Sequence, residues 1–147
     1  MLALPLIWED AMHALIIEDE TLIAMAVEDA LRDCGVTSVD FACSVETAVE
    51  AAKARRPDLV TTDVRLAPGS GIEAVEAICA MEPVPVIFIT GTPADVNERH
   101  PKAIIVQKPF RPPQIAAAVL LAMGSVSGAP RWAQSPPSRA PESGSSR

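Results

Sequence analysis

The fold is decided by the stretch 13–20, His13-Ala14-Leu15-Ile16-Ile17-Glu18-Asp19-Glu20, in which an apolar run ends in three acids. Later apolar runs have the same form and end in Thr62-Asp63, Ile89-Thr90-Gly91 and Gln107-Lys108-Pro109-Phe110. A short apolar run that stops at a polar residue is typical of a buried strand in a parallel sheet. Because such sheets bind ligands in a crevice at the carboxyl ends of their strands, we expect these polar side chains to meet there.

Strand-like and helix-like segments alternate along the chain. The predicted strands are 13–18, 36–42, 58–63, 86–90 and 103–107. Helices are predicted for residues 21–34, 72–81, 93–100 and 112–123. A further helix is predicted between Ser44, which caps it, and Pro57, which ends it. This alternation predicts an α/β fold, a doubly wound five-stranded parallel sheet with helices on both faces. The segment 93–100 contains few large apolar residues, so we expect it to be the least stable part.

Composition excludes several classes of function. The chain has 147 residues, of which 49% are hydrophobic, which suits one domain with a substantial core. Its formal net charge of −7 argues against sequence-independent binding to nucleic acid and against binding to acidic membranes. Cys34, Cys43 and Cys79 are odd in number and lack metal-site spacing, so we interpret them as reduced core thiols of a cytosolic protein.

The chain divides into the segments 1–12, 13–123 and 124–147, and the two end segments differ in composition from the middle one. The first twelve residues are apolar but have no basic leader and are too short to span a bilayer. One interpretation is that translation starts at Met12 and that the preceding residues are an extra. The other is that the apolar residues of this segment dock on a partner or on the domain itself; they are Leu2, Leu4, Leu6, Ile7 and Trp8. The Pro/Ser/Gly-rich segment 124–147 predicts a disordered tail.

The polar groups at the strand ends suit phosphoryl chemistry. Asp19 and Asp63 held close together repel each other, and Mg²⁺ would relieve that repulsion, with Glu18 reaching the ion through water. Asp63 stands by itself at the end of its strand and is therefore the candidate nucleophile, which would form an acyl phosphate. Thr90 would donate a hydrogen bond to one phosphoryl oxygen, and Lys108 would place its positive charge against another.

Each of these residues also has an ordinary interpretation. An acid at a strand end is often a helix cap, a Thr before a Gly is often a turn residue, and a Lys is most often a solvated charge. Four strands ending in complementary groups favour a joint site over separate accidents.

Residues 13–123 resemble the receiver domain of two-component response regulators, through Glu18-Asp19, Asp63, Thr90 and Lys108-Pro109-Phe110. The resemblance implies a flavodoxin-like sheet with strand order 2-1-3-4-5. It also implies that Asp63 is the phosphoacceptor, that Asp19 is a direct Mg²⁺ ligand, that Glu18 binds the ion through water and that the backbone carbonyl of Arg65 completes the metal ligands. By the same resemblance, the Lys108–Pro109 peptide is expected to be cis.

The chain departs from the common receiver pattern at two places. Ile105 occupies the position where family members commonly carry an aromatic residue or His, so an aromatic rotamer switch is not available. The stretch between Thr90 and Lys108 is also several residues short. Together with Phe88-Ile89-Thr90-Gly91, these features look like an alphaproteobacterial-type subfamily whose fourth strand ends Phe-Ala-Thr-Gly. We therefore expect phosphorylation to reorder the segment 91–102.

The resemblance implies a stand-alone, chemotaxis-regulator-like response regulator in the cytoplasm. It would take a phosphoryl group from a histidine kinase or phosphotransfer protein and signal by protein contacts of the fourth helix, fifth strand and fifth helix. Extra apolar residues on the last helix, including Leu120, Leu121 and Met123, also suit a homodimer. The chain would be no enzyme beyond transfer to itself and autodephosphorylation. The alternatives are a phosphate sink or phosphorelay intermediate and, more remotely, a small phosphohydrolase or flavin module on the same fold.

Overall fold

A computed structural model describes residues 11–124. In chain order its elements are β1 (His13–Ile17), α1 (Thr21–Asp33), β2 (Ser38–Ala42), α2 (Val45–Ala54), β3 (Leu59–Thr62), α3 (Gly71–Met81), β4 (Val86–Thr90), α4 (Pro93–Arg99), β5 (Ile104–Gln107) and α5 (Pro112–Met123). The expectations for the apolar segment 1–10 and for the tail 125–147 lie outside the described residues.

The strands form one parallel sheet in the order β2-β1-β3-β4-β5. This order confirms the predicted flavodoxin-like topology. The central pairing aligns the strands at their carboxyl ends, because Ile17 pairs with Thr62 and Thr62 pairs with Phe88. The residues that follow β1 and β3 therefore emerge at the same edge of the sheet.

The sheet is buried on both faces, which explains why its strands are apolar runs and do not alternate with polar residues. Ala14 and Ile16 of β1 pack in a core layer with α1 and α5. Leu15 and Ile17, which point the other way, pack in a second layer with α2, α3 and α4. Every residue of β1, β3 and β4 is buried as a result.

The helices differ in how they begin. Ser44 caps the start of α2, as predicted, and forms a capping box with Thr47, while Ser70 and Glu73 form one at the start of α3. In contrast, α4 has seven residues and no side-chain cap, and its buried residue is Val96. The predicted weak segment is therefore a short helix.

Some predicted boundaries and burials are wrong. The second strand begins at Ser38 and not at Val36, because the Val36 amide donates to the Leu31 carbonyl at 3.1 Å and closes the end of α1. All three cysteines are free. Cys43 is exposed in the turn after β2 and is not a core thiol, whereas Cys34 and Cys79 are half-buried and pack against the two core layers. Between residues 11 and 124, no helix combines the length and apolarity that crossing a bilayer requires.

Candidate functional site

The sheet brings the predicted polar residues to one edge. Glu18 follows the end of β1 and Asp63 follows the end of β3, and these strands pair in register. Thr90 is the last residue of β4 and pairs with Gln107, so Lys108 lies one residue beyond it on the neighbouring strand. The Lys108 amide donates to the Thr90 carbonyl at 2.9 Å, which extends the ladder into the site.

The Lys108 ammonium joins two of the carboxylates. Its Nζ donates hydrogen bonds to Oδ2 of Asp63 at 2.9 Å and to Oε1 of Glu18 at 3.1 Å. The Asp63 and Glu18 side chains are only 7% and 3% exposed, and that of Lys108 is 16% exposed. Hydrogen bonds between ionised groups are strongest where water is excluded, so this arrangement is a tightly held charge cluster.

The cluster keeps an excess of negative charge. Burial raises the pKa of the Glu18 carboxyl and the charge of Asp63 adds to this, although the hydrogen bond and charge of Lys108 act in the opposite direction. Burial by itself lowers the pKa of Lys108, but its hydrogen bonds to Asp63 and Glu18 and their charges outweigh burial, so that pKa is raised. Lys108 therefore stays charged at neutral pH, while its ammonium does not fully offset the effect of burial on the pKa of Glu18.

Asp63 is held by backbone groups as well as by Lys108. Its Oδ1 accepts hydrogen bonds from the Val64 amide at 2.7 Å and, more weakly, from the Arg65 amide at 3.4 Å. Gly71, the first residue of α3, lies directly under the Asp63 carbonyl, where a β-carbon would collide. These contacts hold the carboxylate in one orientation at the mouth of the crevice.

The acids after β1 form a group of oxygen donors. One carboxylate oxygen from each of Glu18, Asp19 and Glu20 lies within 4.8 Å of the others, and Asp19 and Glu20 are exposed. Arg65 is also exposed and lies two residues after Asp63, where it pairs with Ser70 in an isolated bridge. The structure therefore places Asp19 beside Glu18. Glu18 and Asp63 both accept hydrogen bonds from Lys108.

Thr90 is completely buried at the end of β4. Its Oγ1 accepts a hydrogen bond from the Thr92 amide at 2.9 Å and lies 3.1 Å from the Thr92 hydroxyl. Thr92 is the N-cap residue of α4. The hydroxyl expected at the site is thus also connected to the start of the short helix.

Comparison with known proteins matches residues 14–120 to the response regulator receiver domain family. The chain is a receiver domain. This family belongs to two-component systems, and its members generally accept a phosphoryl group and bind Mg²⁺ at an acidic cluster.

Relatives of this receiver include PhyR proteins. The chain is 38% identical to the phyllosphere-induced regulator PhyR of Methylorubrum extorquens, over 77% of this chain and 44% of that protein. It is 36% identical to the Erythrobacter litoralis PhyR receiver domain, covering 75% of this chain and 88% of that one, with a TM-score of 0.67. The anti-anti-sigma factor PhyR of Bartonella quintana is 37% identical over 74% of this chain and 46% of its own, with a TM-score of 0.66. The chain spans less than half the length of the first and the third.

The receiver's donor set fits the Mg²⁺ that its family binds. The candidate ligands are carboxylate and carbonyl oxygens, which this hard cation prefers. Glu18 and Asp63 share the ammonium of Lys108, so two buried carboxylates face one cation and a further cation would reduce their repulsion. The ligand set itself, namely Glu18 through water, Asp19, Asp63 and the Arg65 carbonyl, remains a prediction.

Two finer expectations for the receiver concern β5 and the residues after it. The Lys108–Pro109 peptide is cis, as predicted, and Ala67–Pro68, for which no prediction was made, is cis as well. Ile105 is partly buried and packs in the same layer as Phe88 and Val96. An aliphatic side chain at position 105 therefore packs in the layer that contains the buried residue of α4.

Three features of the receiver site were missed from sequence. The Lys108–Glu18 hydrogen bond was missed because Glu18 would point to the opposite face of the sheet if β1 continued through it as a regular strand. In the structure β1 ends at Ile17, so Glu18 lies beyond the strand and bonds Lys108. Glu20 was missed as a member of the acidic group, although its position beside Asp19 is a usable signal. The Thr90–Thr92 contact has a sequence signal too, since a Thr side chain can accept from the backbone amide two residues further on.

Proposed function

We propose that this receiver accepts a phosphoryl group on Asp63 from a histidine kinase or phosphotransfer protein, in a reaction that needs Mg²⁺. The observation that carries the proposal is the 2.9 Å hydrogen bond from Lys108 Nζ to Asp63 Oδ2 in a crevice that also holds Glu18. A nucleophilic carboxylate beside a fixed cation and further acids is the arrangement that the chemistry requires.

The transfer balances as a displacement at phosphorus. An Asp63 carboxylate oxygen forms the new P–O bond while the P–N bond to the donor histidine breaks, and the histidine nitrogen keeps the electron pair. The backbone amides of Val64 and Arg65 orient the carboxylate, and Lys108 compensates charge on the phosphoryl oxygens. Bound Mg²⁺ would supply further positive charge to those oxygens, held by Asp19, Asp63, the Arg65 carbonyl and, through water, Glu18.

The direct test uses a small phosphodonor and intact-mass measurement. Incubation with acetyl phosphate and Mg²⁺ should add the mass of one phosphoryl group, and EDTA should prevent the addition. Asp63→Asn should remove it completely, whereas Asp29→Asn, which changes an exposed acid of α1, should leave it unchanged. A phosphorylated Asp63→Asn protein would contradict the assignment.

We infer that the signal leaves the site through Thr90. Movement of the Thr90 hydroxyl towards a phosphoryl oxygen on Asp63 would change its two contacts with Thr92 and therefore the start of α4. Because α4 has no side-chain cap and is short, that change reorders the segment 91–102. Beryllofluoride, which mimics the phosphoryl group, should therefore change amide exchange across 91–102; unchanged protection there would contradict the inference.

The output is proposed to be protein contact through α4, β5 and α5. On α5, Leu120 is 74% exposed and Leu121 is 52% exposed, while Ile115 and Val119 are buried in the core. Exposed large apolar side chains next to a responsive segment suit a regulated contact, with a homodimer as one form of it. Measuring back-transfer of phosphate from Asp63 to the histidine of a kinase would separate this output role from that of a phosphate sink or phosphorelay intermediate, which drains a kinase.

A further inference from the structure

The start of α4 carries a capping sequence that the structure does not use. Thr92 is the N-cap residue, Pro93 follows it, and Asp95 is the third residue of the helix. Thr-x-x-Asp at the start of a helix is a capping signature, and proline suits the first helical position. The Thr92 side chain nevertheless forms no cap hydrogen bond, whereas Ser44 and Ser70 cap α2 and α3. The start of α4 is therefore held more weakly than its sequence allows.

The backbone of Thr92 explains why the cap is not formed. Its ψ angle is 68°, whereas the capping residues Ser44 and Ser70 have ψ angles of 168° and 158°. A residue that precedes proline prefers a ψ angle of roughly 120–160°, which is close to the conformation of a capping residue. The sequence therefore favours an extended Thr92, and a contact outside the helix holds it in another conformation.

That contact is with Thr90. The Thr92 amide donates to Thr90 Oγ1 at 2.9 Å, and the two hydroxyl oxygens lie 3.1 Å apart. Thr90 is 0% exposed, and among residues 11–124 its hydroxyl has no further hydrogen-bond partner. Because a buried hydroxyl proton needs an acceptor, Thr90 donates to Thr92 Oγ1. The oxygen that would cap α4 therefore accepts the Thr90 proton instead.

The same proton is required at the phosphoryl site. In the proposed function the Thr90 hydroxyl moves towards a phosphoryl oxygen on Asp63, which is charged and therefore a stronger acceptor than a neutral hydroxyl. Thr92 Oγ1 then loses its donor. The Asp95 amide, which bonds the Thr92 carbonyl at 3.2 Å, is the amide from which a capping side chain commonly accepts. It can therefore replace Thr90 as the donor to Thr92.

We propose that Thr92 is a positioning residue whose hydroxyl oxygen serves two donors in turn. It accepts from the Thr90 hydroxyl in the unphosphorylated receiver and from the Asp95 amide once Asp63 carries a phosphoryl group. This inference rests on the proposed function, because the phosphoryl group is what draws Thr90 away. Phosphorylation then completes the missing cap and makes α4 more ordered.

The exchange of donors fixes the direction of the change in α4. If Thr90 only released Thr92, the start of α4 would lose a contact and its amides would exchange faster. If Thr92 becomes the cap, the amides of residues 95–99 exchange more slowly, by about fivefold for a cap of ordinary strength. The amides of α3, which Ser70 caps already, keep their exchange rates.

The experiment measures amide exchange, with and without beryllofluoride and Mg²⁺, in the unaltered full chain, in Thr92→Val and in Thr92→Ser. Valine keeps the shape of threonine without its hydroxyl, whereas serine keeps the hydroxyl. We expect beryllofluoride to slow exchange at residues 95–99 about fivefold in the unaltered chain and in Thr92→Ser, and by less than about twofold in Thr92→Val. Without beryllofluoride the three chains should exchange alike there, because Thr92 does not cap α4 in that state.

Fluorine NMR of the same samples shows whether beryllofluoride is bound. Bound beryllofluoride with faster or unchanged exchange at residues 95–99 of the unaltered chain, or with equal slowing in Thr92→Val, would overturn this inference and leave the phosphoryl site intact. If the unaltered chain binds no beryllofluoride, the proposed function fails and this inference fails with it.

The backbone conformation of Thr92 gives a second measurement, which needs no variant. NMR chemical shifts of the unaltered chain should report a ψ angle that moves from near 68° to roughly 120–160° when beryllofluoride binds. A ψ angle that stays near its starting value in the bound protein would overturn the exchange of donors.

Discussion

Two helices of this receiver each follow a strand that ends at the site, and they are held very differently. After Asp63, α3 has eleven residues, a complete capping box and five buried residues. After Thr90, α4 has seven residues, no side-chain cap and one buried residue, Val96. The comparison indicates that the side of the pocket that would accept phosphate is rigid, whereas the side that would report it is weakly held.

The contacts at the two ends of α4 extend this comparison. Its last residue, Arg99, donates to both carboxylate oxygens of Glu76 on α3 at 2.7 Å, and the following His100 contacts Glu76 and stacks on Phe88. Its start is connected to the pocket through Thr92 and Thr90. A change at Thr90 therefore acts first on the uncapped end of α4, whereas the other end is bonded to α3.

The largest expected effect comes from the glycine at the start of α3. In Gly71→Ala, the new β-carbon would collide with the Asp63 carbonyl and the Thr62 hydroxyl. Because backbone cannot move aside as a flexible side chain can, we expect the free energy of unfolding to fall by about 3 kcal/mol in urea denaturation.

Gly91 is the matched control at the β4–α4 junction. A β-carbon there meets nothing within 4 Å, so Gly91→Ala should change the free energy of unfolding by less than about 0.5 kcal/mol. Similar losses of unfolding free energy in the two variants would contradict the difference between the β3–α3 and β4–α4 junctions.

Buried valines test the helices themselves. Val75 of α3 is 1% exposed and Val96 of α4 is 0% exposed, so the two changes to Ala remove equally buried methyl groups. If α4 opens without the rest of the domain, Val75→Ala should lower the free energy of unfolding by about 2 kcal/mol and Val96→Ala by less than about 1 kcal/mol. Val96→Ala should instead accelerate amide exchange across residues 93–99, and an equal global loss for both valines would contradict local opening.

The sheet and most of the site were predictable because each depends on local sequence. The apolar runs before Glu18, Asp63 and Thr90 specify buried strands, and parallel topology then brings their ends together. The weakness of α4 was visible from the short predicted span 93–100 and its few large apolar residues.

What could not be predicted depends on contacts between distant segments. Glu18 bonds Lys108 across 90 positions in sequence, and only the termination of β1 at Ile17 lets its side chain turn toward the crevice. Likewise, Cys43 looks like a core thiol in sequence but lies exposed in a turn at the sheet edge. The sequence shows which side chains are apolar, whereas the topology of the fold decides whether a neighbouring element covers them.

Replacing the residue before each helix should give a smaller difference in the free energy of unfolding between α3 and α4. Ser70→Ala removes the hydroxyl that accepts from the Glu73 amide at 3.2 Å and should lower the free energy of unfolding by about 1 kcal/mol. Thr92 makes no side-chain cap bond, so Thr92→Ala should lower it by less than about 0.5 kcal/mol. Thermal denaturation of both variants measures the difference, and a larger loss at Thr92 would mean that α4 depends on its contact with Thr90.

The smallest expected effect is at the link between the two helices. Glu76→Gln weakens the pairing with Arg99, but Arg99 is 54% exposed, so the global loss should be below about 1 kcal/mol and should vanish at high salt. The matched control is Glu82→Gln, which removes an exposed pair with Arg56, at 3.1 Å, that does not involve α4. Both variants should be nearly as stable as the unaltered chain, yet only Glu76→Gln should accelerate amide exchange at residues 96–100. Equal exchange in both would mean that the pairing of Glu76 with Arg99 does not hold the end of α4.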